Sequence, residues 1–520
     1  MTNESARSAV VVLLLSLLAC RGEQPAPAHA PSDAPAKKPV ENRITRRLES
    51  DVATLNYVLH TSEYERYVLE YLYDPLVDLD RNLQPVPGLA RSWEVSPDGR
   101  AYTLHLDPRA TFEDGRPVTA RDVLFTINRI VDEESPQFSA WFEGLDRKGT
   151  KAIDDRTIVV AFTEPRAALL YSFNIAVLPE HVYGTGDFKK DFNDRAVGNG
   201  PYRLAEKKAG ERVVLLRRPD YWREKPALER IVFRVIGDDG AAWAALQRGD
   251  IDEMRVKPDI WAREKERARD VTFHDVYLLA YNTVAWNLDD LLLRDPQVRL
   301  ALSMAFDRKT IIDRLYQGQA RSISGPFTPD QWAYDPNVVP PPYDPAGARK
   351  LLAGRTFSLT VLVPAGNKQA EDQAVIYQAA LRGIGVTAEI RKLDTAAFFD
   401  LLMRGNYQAA LVGWSADPDP DPYSLFHSSQ VPPAGLNIVR YRNPAADALM
   451  ERARHELDLT RRAALYHQLH ARLAADLPYL WTVQVATKWA VRKRVQGVEA
   501  GKGYGLFFWS PGARGWRVAE

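Results

Sequence analysis

The stretch Ala101-Tyr-Thr-Leu-His-Leu106-Asp-Pro-Arg-Ala-Thr-Phe112-Glu-Asp-Gly115-Arg-Pro-Val-Thr119-Ala-Arg-Asp122-Val123 contains a strand, a turn and a helix start in sequence. Residues 101–106 are β-prone and bounded by the turn pairs Asp98-Gly99 and Asp114-Gly115. Thr119 is a natural N-cap, and Asp122 stands three residues later near the positive helix end. Val123, Phe125, Ile127 and Ile130 make the following helix apolar. The same alternation continues along the chain. Strands are expected at 213–217, 231–235 and 357–363. Asp344-Pro345 and Asn443-Pro444 each place a capping side chain before Pro at the first helical position. Leu465, Leu469 and Leu473 share one helix face, and Pro478 ends that region. The mixture predicts an α/β protein.

Composition narrows the function classes. With 520 residues and 45% apolar content, the chain can build two or three packed units. Lys+Arg and Asp+Glu balance at 68 each, which argues against a surface built to coat nucleic acid. One cysteine excludes both an internal disulfide and a Cys-based metal cluster. The 12 Trp and 22 Tyr suit ligand pockets, although most are expected in cores.

The lone cysteine has a telling position. An apolar run from Ala9 to Ala19 follows Arg7. It is too short to span a membrane and fits the core of a secretory signal. Leu17-Leu18-Ala19-Cys20 resembles the lipobox of bacterial lipoproteins, in which the cysteine is lipidated and becomes the mature N-terminus. The alternative is a plain signal peptide with an incidental cysteine. Residues 21–40 are rich in Pro and Ala and are expected to form an extended tether.

Several blocks line up in a fixed order: Glu70-Tyr-Leu-Tyr-Asp-Pro-Leu-Val77, Pro87-Gly-Leu-Ala90, Phe112 to Val123, Val197-Gly-Asn-Gly200-Pro201-Tyr202, Arg218-Pro-Asp220-Tyr221-Trp222, Gln247-Arg-Gly249-Asp250-Ile251-Asp252, Val298 to Arg308, and Gly413-Trp414-Ser-Ala-Asp417. This series resembles the extracellular solute-binding proteins of family 5, the group of oligopeptide-, dipeptide- and nickel-binding proteins of ABC importers. The resemblance implies a periplasmic-binding-protein-like class II fold: two α/β lobes with a hinge between them, plus an extra α+β domain. It places lobe 1 at 41–80, 196–272 and 487–520, the extra domain at 81–195, and lobe 2 at 273–486, after a signal at 1–20 and the tether at 21–40. Hinge strands are expected to cross near 270 and 487. The implied function is capture of a small solute, most simply a short peptide, and its delivery to a membrane permease. Anchoring would be through lipid on Cys20, outside the cytoplasm, and the chain would act as a monomer without a cofactor.

In peptide-binding relatives the Trp-x-x-Asp block lines the cleft, and its carboxylate accepts the ligand's α-ammonium. Trp414 and Asp417 match it residue for residue. An α-amine is cationic at neutral pH, and a carboxylate pairs with it through charge-assisted hydrogen bonds. The competing reading is that Asp417-Pro418 merely starts a turn. The run Asp417-Pro-Asp419-Pro-Asp421-Pro422 lacks the Gly and Glu of a calcium loop, so it reads as a rigid loop presenting Asp417 beside Tyr423. No metal site is expected. A cation for the ligand's carboxylate end is not identified; Arg404 is near in sequence only. His467 and His470 read as surface or packing residues. No G-x-S-x-G, P-loop or H-E-x-x-H motif supports an enzyme. A non-peptide solute such as an oligosaccharide, opine or metal chelate, a sensor role, and a secreted hydrolase are the other hypotheses.

Overall fold

A computed structural model describes residues 42–165, 167, 169–502 and 509–519. Cys20, the expected signal at 1–20 and the expected tether at 21–40 lie outside the described residues.

Three sheets organise the body. The first has eight strands, in the order Val271–Tyr277, Val483–Arg492, Glu253–Val256, Arg43–Leu48, Arg230–Val235, Arg212–Arg217 and Tyr202–Lys208, with Ala320–Ser322 paired to the second of these. Arg43–Leu48 runs parallel to both of its neighbours, and the other pairs are antiparallel. The second sheet has the order Val386–Leu393, Phe357–Pro364, Ala409–Ser415, Ala280–Trp286 and Tyr479–Trp481, parallel for the first two pairs and antiparallel after them. The third joins Ala90–Val95, Ala101–Leu106, Thr157–Ala161 and Lys151–Ala152 as an antiparallel sheet.

Local sequence explains these elements. On Ala101–Leu106, Tyr102, Leu104 and Leu106 point into the core, the period-2 pattern of a half-buried strand. Helix Ala120–Asp132 begins after Thr119, whose backbone N–H and hydroxyl both donate to the Asp122 carboxylate, at 2.8 and 2.7 Å. Asp344 and Asn443 cap helices Pro345–Leu352 and Pro444–His455 as expected. Helix Leu459–Asp476 buries Leu465, Leu469 and Leu473 on one face and ends at Leu477 in the left-handed conformation.

The chain changes sheet twice. It leaves the eight-stranded sheet between Tyr277 and Ala280, and returns at Thr482 between Trp481 and Val483. These points stand several residues from the expected crossings at 270 and 487. Pairing of Val271–Tyr277 with the last long strand persists as far as Tyr277 opposite Ala486, so the sheet holds both strands beyond the expected points. The Gln484 amide bridges the crossing, donating to the Leu278 carbonyl at 2.7 Å and accepting from Arg321 at 2.8 Å.

The motif blocks build this frame. Asp74 is buried, and its carboxylate accepts from Tyr221 Oη, Trp222 Nε1 and Arg514 at 2.9, 2.9 and 2.6 Å. Asn199 accepts from the Asp74 backbone N–H at 2.7 Å. A Cβ on Gly198 would stand 1.8 Å from the Leu72 carbonyl oxygen, so only glycine fits there. Gly249 ends helix Asp239–Arg248 at φ 81°. Arg299 donates to the carbonyls of Leu477, the C-cap of helix Leu459–Asp476, and of Leu293, at 3.0 and 2.8 Å.

Candidate functional site

Asp417 follows strand Ala409–Ser415 and opens a loop stiffened by Pro418, Pro420 and Pro422. The three aspartates of this loop have separate fates. Asp419 is buried and forms a bidentate pair with Arg462, at 2.5 and 2.6 Å. Asp421 pairs with Arg454 at 3.0 Å and accepts from the Tyr423 N–H at 3.1 Å. Asp417 has no cation within 4 Å among the described residues; its backbone carbonyl accepts from Gln331 at 3.2 Å.

A cavity of about 690 Å³ opens onto this loop. Asp417 and Tyr423 line one wall, with Arg454 beside them. The facing wall comes from the 140–174 segment, including Trp141, Glu143, Tyr171 and Asn174. The two walls touch where the Ala167 N–H donates to the Arg454 carbonyl at 2.8 Å. The volume suits a small organic molecule. The Asp417 side chain is open to water within the cavity yet enclosed by the surrounding walls. That desolvation pushes its carboxyl above the usual aspartate range; Asp419 and Asp421 add to the effect and Arg66 opposes it. Tyr423 is clamped, with the Arg454 guanidinium 4.1 Å from its ring centroid and His427 stacked at 4.1 Å.

Trp414 occupies a different place. It stands across from Tyr281 in the sheet, half-buried against the apolar cluster that holds Tyr281, Phe426, Tyr479 and Trp481. It is not among the described residues lining the cavity. The structure thus brings Asp417 and Tyr423 to one cavity wall and leaves Trp414 outside the lining. Arg404 pairs with Asp400 at 2.8 Å on the exposed side of its own helix. His470 is buried, accepting from the Asp335 N–H at 3.2 Å and lying 3.1 Å from the Ser324 hydroxyl, which makes it a packing residue. Sequence reading missed Trp141, Glu143, Tyr171 and Arg454, which lie outside the loop that carries the Asp run and announce themselves by no local motif.

What this chain resembles is consistent with that geometry. Residues 84–433 match the model of the bacterial extracellular solute-binding proteins, family 5 Middle. The oligopeptide-binding protein AppA of Bacillus subtilis is 27% identical over 516 residues, covering 94% of each chain. Heme-binding protein A of Haemophilus influenzae is 26% identical, covering 84% of this chain and 86% of its own. The structure of Bacillus subtilis AppA in complex with a nonapeptide superposes with a TM-score of 0.72 at 26% identity, over 92% of this chain and 99% of that one. No helix among the described residues is long and apolar enough to cross a membrane. The family match spans well over half of the sequence, and the chain belongs to the family 5 bacterial extracellular solute-binding proteins.

Proposed function

We propose that this protein is the substrate-binding component of an ABC importer and captures a short peptide in the 690 Å³ cavity. One observation carries the reading. Of the three loop aspartates, two are neutralised by Arg462 and Arg454, and the third, Asp417, faces the cavity without a cation partner among the described residues. A peptide's α-ammonium is the group such a carboxylate takes. The peptide name of the Bacillus relative supports the assignment. Tyr423 lines the same wall, and Trp414 packs on the neighbouring apolar cluster.

Closure would bring the 417–454 wall onto the 140–174 wall, hinged where the chain changes sheet at 278–279 and 482. Lobe 1 at 41–80, 196–272 and 487–520, lobe 2 at 273–486 and the extra domain at 81–195 are the units proposed to move. The permease would read the closed form. Lipidation of Cys20, with 21–40 as tether, would hold a monomeric body near that permease. Loss of palmitate labelling in a Cys20→Ala variant checks the anchor, and retained labelling refutes it.

The similarity to a heme-binding protein favours one second reading, a non-peptide solute. Native purification followed by mass spectrometry of the released ligand separates the two. Peptide masses are expected; a single non-peptide species would replace the peptide assignment.

A further inference from the structure

The eight-stranded sheet has two unlike faces. Ile44, Val213, Leu215, Ile231 and Phe233 point into the core. The residues between them point the other way and line an open concavity of about 770 Å³. None of these lining residues lines the ligand cavity.

Strand register arranges the outward side chains in three rows. Arg43, Arg230, Leu216 and Arg203 form one, and Thr45, Val232, Val214 and Glu206 form the next. Arg234, Arg212 and Lys208 form the third. Two cationic rows thus flank a largely apolar one, and they stand about 13 Å apart along the strands. Acidic groups match only part of this charge. Glu206 pairs with Arg212 at 2.9 Å and Glu211 with Lys208 at 2.7 Å, while Asp250 at the rim is taken by Arg248 at 2.8 Å. Arg203, Arg230 and Arg234 are exposed. Arg43 stands opposite Arg230 across one strand pair, and Arg212 opposite Arg234 across the next. Like charges set opposite one another destabilise a sheet, and an anionic layer over this face would relieve that.

We propose that this face is a docking surface for an anionic membrane, with lipid phosphates over the two cationic rows. Basic residues near a charged bilayer are attracted over about a Debye length. The chain as a whole balances 68 basic against 68 acidic residues, so the excess is local to the face. A second copy would meet its own positive charge there. The family works outside the cytoplasm, where a bilayer supplies an extended anionic surface. The chain that precedes Asn42 also joins the body here, because Arg43 belongs to the first cationic row and opens its strand. The docking does not depend on what the cavity binds, nor on acylation of Cys20.

Co-sedimentation with vesicles tests this. The full chain carrying Cys20→Ala removes acylation from the measurement, and its apolar N-terminal run is common to every variant compared. Phosphatidylcholine vesicles are set against vesicles in which about one third of the lipid is phosphatidylglycerol. The parent is expected to bind the anionic vesicles more tightly, and to lose that excess as KCl is raised. Each cation removed should weaken anionic binding about fivefold, so Arg203→Gln with Arg234→Gln should cost roughly 25-fold. Arg203→Lys with Arg234→Lys keeps the charge and should bind like the parent. Lys350→Gln with Arg382→Gln, two exposed cations outside this sheet, should change little. Equal binding to both vesicle types overturns the proposal, as does unchanged binding in the Arg203/Arg234 glutamine pair. An equal loss in the Lys350/Arg382 pair makes the effect one of net charge and overturns it too.

Discussion

Asp417→Asn separates ligand anchoring from folding, because the two respond in opposite directions. The substitution keeps the shape of the side chain and removes its charge. A hydrogen bond to a charged group contributes about 1.5–3 kcal/mol, and desolvation of both ions when the cavity closes offsets part of that. A loss of about 1–3 kcal/mol follows, roughly 5- to 150-fold in Kd. In the free protein, enclosure holds the Asp417 carboxyl above its ordinary range. A carboxyl with a raised folded pKa favours folding at low pH, and that contribution disappears as pH rises through the folded value. At neutral pH the charge is therefore a burden on the empty protein. The Asn variant should melt no lower than the wild type without ligand, while peptide raises its melting temperature less. Wild-type affinity for the peptide should also weaken as pH falls through the raised range, whereas the variant's affinity should stay flat there. Isothermal titration with free and N-acetylated forms of one peptide completes the test. Acetylation should cost the wild type about what the substitution costs, and cost the variant little more. Unchanged affinity in the Asn variant, or a full acetylation penalty in it, refutes the amine anchor.

Two further outcomes concern stability. Arg462→Met leaves Asp419 buried without its cation and should lower the unfolding free energy by about 3–5 kcal/mol in denaturant titration; adding Asp419→Leu should recover most of this. His470 is held down to about 4 from 6.5, first by desolvation and then by His467, with Asp335 opposing. Its folded value lies below the unfolded one, so its contribution is complete above about 6.5 and is lost as pH falls toward about 4. Across that window a His470→Gln variant should lose less stability than the wild type, by about 3 kcal/mol in pH-dependent denaturation.

How far the sequence carried the fold depended on whether the signal was local. Thr119 with Asp122, Asp344-Pro345 and Asn443-Pro444 announce helix starts because a cap acts within four residues. Strand 101–106 is legible for the same reason, since its alternation reflects the sheet face it covers. The crossing points are not local. They depend on how long the last strand keeps its partners, and no residue between 270 and 280 records that Tyr277 still pairs with Ala486. The ordered blocks told more about the frame than about the ligand. Asp74, Asn199, Tyr221, Trp222 and Gly198 converge on one buried junction, which explains their residue types without any solute.

The site shows the same division. Asp417 and Tyr423 both line the cavity, on the run that three prolines mark in the sequence. The resemblance to the Trp-x-x-Asp block groups Trp414 with them, but position 414 still belongs to the strand. Its side chain packs on the cluster of Tyr281, Phe426, Tyr479 and Trp481, whereas Asp417 lies beyond the strand's last residue. The opposite wall, with Trp141, Tyr171 and Asn174, lies more than 240 residues away in sequence and joins the site only through tertiary packing. Arg454 shows why a cation for the ligand's far end could not be named from sequence. It does reach the cavity, yet its charge is matched by Asp421 and its plane lies over Tyr423. Any ligand carboxylate that engages Arg454 must compete with Asp421, which makes this wall better suited to polar backbone than to a second full charge.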